Sequence, residues 1–333
     1  MANIKGVSSL AGRSLMSIGD LSKRELLGLL DCSASLKKAF GDPGSGVERE
    51  QPLLGKSVAM IFQKRSTRTR VSTETGMGLL GGRALFLGPS DIQLGVNESM
   101  KDTAKVLSRF NSLVLARVND HRDVEKLKEE SAVPVINALS DLHHPLQTLA
   151  DLMTVQERFG KLDGLTLAWV GDGNNVLHDI MLGCAKLAMD VRIATPEGYR
   201  PNPDVLDATN GLAQESGSSV MVTADPAEAS SRGMNKKRCS AAVAGSNIVV
   251  TDTWVSMGQE AEAARRLKDY EGYQVTEALM TKAADDAVFL HCLPRHKEEV
   301  DDEVFYSGRS LVFPEAENRM WTVMALMKSM LGK

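Results

Sequence analysis

The chain predicts an α/β protein built as two doubly wound domains with parallel sheets. Three observations carry that expectation. Short apolar runs alternate with helically spaced segments along almost all of the 333 residues. The alternation occurs in two successive series, and the length suits two domains at roughly 150 residues each. Polar and reactive residues cluster just after the apolar runs, where ligands gather in open parallel sheets.

The first series opens with Val58–Phe62, read as a buried strand, and Ser72–Leu80, read as a helix. Ala84–Leu87 reads as a strand, Ser99–Phe110 as a helix, Ser112–Val118 as a strand, Val124–Glu130 as a helix and Val133–Asn137 as a strand. A long helix from Pro145 to about Phe159 leads into the second series, with a hinge expected near residues 145–165. There Leu165–Gly171, Val191–Ala194, Ser219–Thr223, Asn247–Thr251 and Val288–Cys292 read as strands. Val176–Ala188 and Pro203–Glu215 read as helices, and Asn318–Leu331 as a terminal amphipathic helix. Ser230–Ala244 is polar and basic with little periodicity and reads as a surface loop.

Composition narrows the function. The net charge of −4 argues against a nucleic-acid surface, and no apolar run reaches the roughly 18 residues a membrane span needs. Cys32, Cys184, Cys239 and Cys292 form no CxxC pair and read as free thiols of a reducing compartment. Met1–Ser17 has basic and serine residues and no acid, which suits either a transit-peptide remnant or a frayed end.

Ser66-Thr67-Arg68-Thr69-Arg70 lies at the first strand-to-helix junction. Hydroxyls, guanidinium forks and helix N-terminal N–H groups together suit an anion; a solvated, capped basic turn fits the same residues. Arg117 and His143-His144-Pro145-Leu146-Gln147 follow later strands of this series, so its strand ends are cationic. In the second series the strand ends offer Gly171-Asp172-Gly173-Asn174-Asn175, Asp252–Gly258 and His291-Cys292-Leu293-Pro294-Arg295. Asn175, Asp252 and Ser256 suit a ligand with ammonium and carboxylate groups, so two substrates are expected to meet in a cleft between domains. Gly171 and Gly173 lack the third glycine of a dinucleotide fingerprint, since Val176 stands there. His291, Cys292 and His296 match no strong zinc spacing. Cys292 is read as a buried thiol by default, and as a nucleophile only with a base beside it.

Together, Ser66–Arg70, His144–Gln147, Asp252–Gly258, His291–Arg295 and Phe313–Arg319 resemble the aspartate/ornithine carbamoyltransferase family, from about Leu21 to the C-terminus. The Asp252 and His291 segments resemble its ornithine-specific, eukaryotic anabolic branch. The resemblance implies transfer of the carbamoyl group of carbamoyl phosphate to the δ-amine of L-ornithine, giving citrulline and phosphate. It implies a carbamoyl-phosphate-binding domain over 1–150, an ornithine-binding domain over 151–314, and a C-terminal helix, about 315–333, packed back on the first. By position, Ser66, Thr67, Arg68, Thr69, Arg117, His144, Gln147 and Arg319 match residues that hold carbamoyl phosphate. Gln93 matches a residue that reaches a neighbouring subunit's site, implying a homotrimer. Asn175, Asp252, Ser256 and Met257 match contacts to the amino-acid end of ornithine. Cys292 and Leu293 match groups beside the reacting carbon and amine, and the catalytic set is Arg117, His144, Asp252, Cys292 and Arg319. No metal or organic cofactor is implied, because carbamoyl phosphate is already activated, and no nucleic-acid or membrane partner either. The implied location is the mitochondrial matrix, with the cytoplasm as the alternative. The Ser230–Ala244 stretch is longer than the family pattern expects.

Overall fold

The computed structural model describes residues 4–41, 50–90, 98–223, 242–256 and 259–332. The chain divides into two compact units, Met1–Met153 with Ala316–Lys333, and Thr154–Glu315.

In unit 1, helix α1 (Lys23–Gly41) precedes strand β1 (Ser57–Phe62), helix α2 (Thr67–Leu79) and strand β2 (Arg83–Leu87). Then come α3 (Met100–Phe110), β3 (Leu113–Arg117), α4 (His121–Glu130), β4 (Val135–Leu139) and α5 (Pro145–Phe159). The four strands pair in parallel in the order β2-β1-β3-β4. Val58 to Phe62 and all of β3 are buried, which is why both read as near-continuous apolar runs.

In unit 2, β5 (Thr166–Val170), α6 (Asn175–Lys186), β6 (Asp190–Ala194), α7 (Pro203–Ser216) and β7 (Val220–Thr223) are followed by β8 (Ile248–Thr251). Short helices α8 (Ala263–Asp269) and α9 (Glu277–Met280), strand β9 (Val288–His291) and α10 (Asp302–Phe305) come next, and α11 (Val312–Leu331) completes the chain. The sheet is parallel, ordered β7-β6-β5-β8-β9. Both sheets are therefore doubly wound. The order reverses between β1 and β3 in unit 1 and between β5 and β8 in unit 2, and ligands of such sheets bind beyond the strand ends at these points.

Several sequence expectations shift. Helix α2 starts at Thr67, not Ser72, because the Ser66 side chain caps it by accepting from Thr69 N–H at 3.3 Å. Helix α11 starts at Val312, not Asn318, and carries Pro314 in its first turn, where proline removes no needed donor. Helix α1 lies ahead of the first element read from the sequence; Ser22 and Glu25 start it as a capping box, Ser22 N–H donating to the Glu25 carboxylate and Glu25 N–H to Ser22 Oγ. The stretch before it is no frayed end. Leu10, Leu15 and Met16 are buried, Leu15 N–H donates to Val135 C=O at 2.9 Å, and Asn137 N–H donates to Leu15 C=O at 2.8 Å. No helix among the described residues is long and apolar enough to cross a membrane.

Candidate active site

The strand ends at the unit 1 switch point gather cationic groups. Arg117 closes β3, where the β3–β4 register shifts by one residue between Ala116 and Arg117. Such a bulge re-aims the side chain that follows it; Arg117 is buried. After β4, Asn137 ties the turn that presents His144: its amide donates to Met16 C=O at 2.9 Å and to Ser140 Oγ at 3.2 Å. Ser140 N–H closes the turn onto His143 C=O at 2.9 Å.

Arg319 of α11 draws these pieces together. Its guanidinium donates to Gln147 Oε1 at 2.6 Å and to Thr69 Oγ1 at 3.2 Å, and lies 3.5 Å from His144 Nε2. Gln147 in turn donates to Asp151 at 2.7 Å, which fixes its amide. Arginine can only donate, so His144 Nε2 accepts and its proton sits on Nδ1. That Nδ1 is buried and has no hydrogen-bond partner among the described residues. Burial first, then the charges of Arg319, Arg117 and Arg68, push the His144 pKa well below the usual imidazole value. The imidazole is neutral at physiological pH, a donor without charge in a field of positive charge. Arg68, in the first turn of α2, belongs to that field. Arg70 does not serve it: its guanidinium stacks 3.8 Å from the Phe86 ring centre and pairs with Glu74 at 3.1 Å. His143, buried beside His144, packs edge-on against His121, with ring centres 5.2 Å apart. Ser66 and Thr67 start α2, so their backbone and hydroxyls meet the positive end of the helix dipole.

At the unit 2 switch point the charge reverses. Asp252 follows β8 and is 5% exposed. Asn174 Nδ2 donates to its Oδ2 at 2.7 Å, and the Cys292 thiol donates to its Oδ1 at 3.0 Å. Asn174 also caps α6, its Oδ1 accepting from Val176 and Leu177 N–H. Asn175 is the first residue of α6. Asn174 is the residue that sequence reasoning passed over for its neighbour; the signal available was its place as an N-cap directly before a helical run. Ser256 N–H donates to Gln259 Oε1 at 3.1 Å. Leu293, with φ of 60°, holds left-handed backbone that leucine rarely adopts. Its N–H donates to His291 Nδ1 at 2.9 Å, and His291 Nε2 faces Glu299 at 3.3 Å. Asp252, His291 and Cys292 offer ligand atoms within 4.8 Å of one another. Both His291 nitrogens are engaged, however, so the trio does not fit a metal without breaking those bonds. His296 lies apart from it, with Nδ1 3.2 Å from Thr253 Oγ1.

The glycine pair has a packing explanation. A Cβ on Gly173 would lie 2.4 Å from the backbone of Arg200 and Pro201, and Gly171 has φ of 136°. Gln93 and Met257 lie outside the described residues, as does most of Ser230–Ala244.

The fold and the two strand-end clusters define a carbamoyltransferase, and the chain belongs to the aspartate/ornithine carbamoyltransferase family. Its carbamoyl-P binding domain matches residues 13–157 and its Asp/Orn binding domain residues 163–330. Among the relatives is "Ornithine transcarbamylase, mitochondrial" of Gallus gallus, 52% identical over 97% of this chain and 86% of that protein. Another is "Ornithine carbamoyltransferase, mitochondrial" of Schizosaccharomyces pombe, 49% identical over 96% of this chain and 94% of its own. The solved ornithine carbamoyltransferase from Pyrococcus furiosus superposes with a TM-score of 0.88 at 43% identity, covering 97% of this chain and 98% of that one. The solved mitochondrial ornithine carbamoyltransferase from Coccidioides immitis does so with a TM-score of 0.85 at 40% identity, covering 96% and 97%.

Proposed function

We propose that the protein is an ornithine carbamoyltransferase, transferring the carbamoyl group of carbamoyl phosphate to the δ-amine of L-ornithine in arginine biosynthesis or the urea cycle. The observation that carries this reading is Asp252, a buried carboxylate held by Asn174 and the Cys292 thiol. A buried carboxylate suits the ammonium group of ornithine and repels the second carboxylate of aspartate.

Carbamoyl phosphate binds at the unit 1 cluster. Ser66, Thr67 and Thr69 supply hydroxyls and the amides of a helix N-terminus, and Arg68 and Arg319 hold the phosphate. As the δ-amine attacks the carbonyl carbon, negative charge grows on the carbonyl oxygen and then on the departing phosphate. Arg117, Thr69 and the neutral His144 stabilise the carbonyl oxygen, a single such donor being worth about 3–4 kcal/mol. Gln147 keeps the carbamoyl amide oriented. Holding two reactants in attack geometry supplies roughly 7–11 kcal/mol more. Asn175, Asp252, Ser256 and the Met257 backbone hold the amino-acid end of ornithine. Cys292 and Leu293 orient the attacking amine, and no covalent enzyme intermediate forms. The nucleophile must be the neutral amine, so ornithine gives up its ammonium proton before attack; a second N–H proton leaves as the adduct collapses, with the departing phosphate able to accept it. No cofactor takes part in these steps.

By the same reading the protein works in the mitochondrial matrix as a homotrimer, Gln93 completing a neighbouring subunit's site. The test is ureido-product formation from carbamoyl phosphate with ornithine, putrescine, aspartate and acetylornithine in parallel. Product with ornithine alone is expected. Product with another amine instead would leave the unit 1 assignment and overturn the reading of Asp252.

A further inference from the structure

One buried ion pair in unit 2 is used by none of the steps above. Asp172, in the loop after β5, and Arg266, on α8, are each 7% exposed. Arg266 Nη1 donates to Asp172 Oδ2 at 3.2 Å and to Trp254 C=O at 3.0 Å, and Nε donates to Glu262 at 3.2 Å. The other carboxylate oxygen of Asp172 accepts from the Tyr270 hydroxyl at 2.7 Å. Its backbone carbonyl accepts from Trp169 Nε1 at 2.9 Å. The Trp254 ring stacks on Tyr270 at 5.2 Å, and the Arg266 guanidinium lies 4.9 Å from the Tyr199 ring centre.

The pair joins two particular loops. Asp172 lies two residues before Asn174, which holds Asp252, and three before Asn175. Trp254, whose carbonyl Arg266 holds, lies two residues after Asp252 and two before Ser256. Every residue that our functional reading gives to the amino-acid end of ornithine, Met257 included, lies within three positions of Asp172 or Trp254. A buried ion pair is a poor device for stability alone, since apolar residues of similar volume commonly do as well. Its specific asset is direction: Nη1 donates to both the carboxylate and the carbonyl while Nε is held by Glu262, and the planar guanidinium fixes these bonds relative to each other.

We propose that Asp172 and Arg266 are positioning residues that set the spacing of the Gly171–Asn175 and Asp252–Ser256 loops, and so the affinity for ornithine but not for carbamoyl phosphate. The proposal rests on the functional reading above. Burial raises the Asp172 pKa first, with Tyr270 and Arg266 opposing it, so the carboxylate depends on both partners for its charge.

The experiment is steady-state kinetics on the full chain, comparing wild type with Asp172→Asn, Arg266→Lys and Tyr270→Phe, with each substrate varied in turn. Asp172→Asn is expected to raise the KM for ornithine at least tenfold while that for carbamoyl phosphate moves less than twofold. Arg266→Lys keeps the charge but loses the planar group and its Nε bond to Glu262, and is expected to give a smaller rise confined to ornithine. An unchanged ornithine KM in folded Asp172→Asn, or equal rises for both substrates, would overturn the proposal. Should Asp172→Asn fail to fold, Tyr270→Phe carries the test. It loses one bond to the same carboxylate and is expected to raise the ornithine KM at least twofold, with the carbamoyl phosphate KM unmoved; no change overturns the proposal. Wild type that never uses ornithine would overturn the functional reading itself, an outcome visible before any variant is compared.

Discussion

Arg319 donates to Thr69 and Gln147 and approaches His144, so one guanidinium orders three side chains from two other places in the sequence. Arg68 stands in the same positive field, and in the proposed reading its charge faces the phosphate. Arg68→Gly is expected to abolish carbamoyl phosphate binding, measured calorimetrically, while the protein still folds; normal binding would sink the phosphate assignment. His144 gives a pH prediction. Its folded-state pKa lies below the unfolded value, so the fold binds fewer protons there. Stability therefore rises with pH through the window below about 6.5 and levels off above it. The rate with carbamoyl phosphate should show no imidazole titration between about pH 6 and 8. An inflection in that range that His144→Asn removes would contradict a neutral histidine. For Asp252→Asn, the ornithine KM should rise at least tenfold (roughly 1.4 kcal/mol) with little change for carbamoyl phosphate; equal effects on both would make Asp252 structural.

At the scale of elements, caps and close approaches set the functional loops. Ser66→Ala removes the cap of α2 and is expected to lower stability by about 1 kcal/mol. It should also weaken carbamoyl phosphate binding, since the first turn it orders carries Thr67, Arg68 and Thr69. Glu25 works the same way on α1. Burial opposes its ionisation, but Ser22, Ser9 and Arg13 outweigh that and lower its pKa to about 2. A depressed acid contributes stability above its unfolded pKa of about 4.5, and loses that contribution as pH falls toward about 2. Glu25→Gln should therefore cost about 1–2 kcal/mol in denaturant melts at pH 7, discounted for its partial access to water, with the gap closing near pH 2. A gap that persisted unchanged in acid would show that the loss is one of packing. Gly173→Ala would press a methyl against the Arg200–Pro201 backbone and is expected to cost about 1–3 kcal/mol.

For the whole molecule, the separation of charge matches the two substrates of the proposed reaction. Unit 1 presents arginines and a neutral histidine at its switch point, and unit 2 presents a carboxylate, although the net charge of the chain is only −4. A free alkyl amine has a pKa of about 10.4, so activity should climb with pH toward the alkaline side. A flat rate from pH 6 to 9 would show that the amine loses its proton by another route. Carbamoyl phosphate at about one hundred times its Kd should stabilise the protein by about 2.7 kcal/mol, read as a rise in melting temperature.

The sequence by itself determined the α/β class, the two series of strands, and most of the residues that cluster at the switch points. These were legible because parallel strands are buried on both faces and read as apolar runs, and because ligand groups of such folds follow the strands. Long-range contacts were not legible in local pattern, and only the family resemblance placed Thr69, Gln147 and Arg319 at one site. Nothing in the Arg319 segment alone points to Thr69, some 250 residues earlier. Helix α1 was legible in its Ser22-x-x-Glu25 capping box and in leucines at helical spacing, whereas the Asn174–Asp252 bond, the stacking of Arg70 on Phe86 and the Asp172–Arg266 pair were decided only by the tertiary structure. Local pattern reports which face of an element is buried; which charged group it meets there depends on strand order and register, which only the folded chain sets.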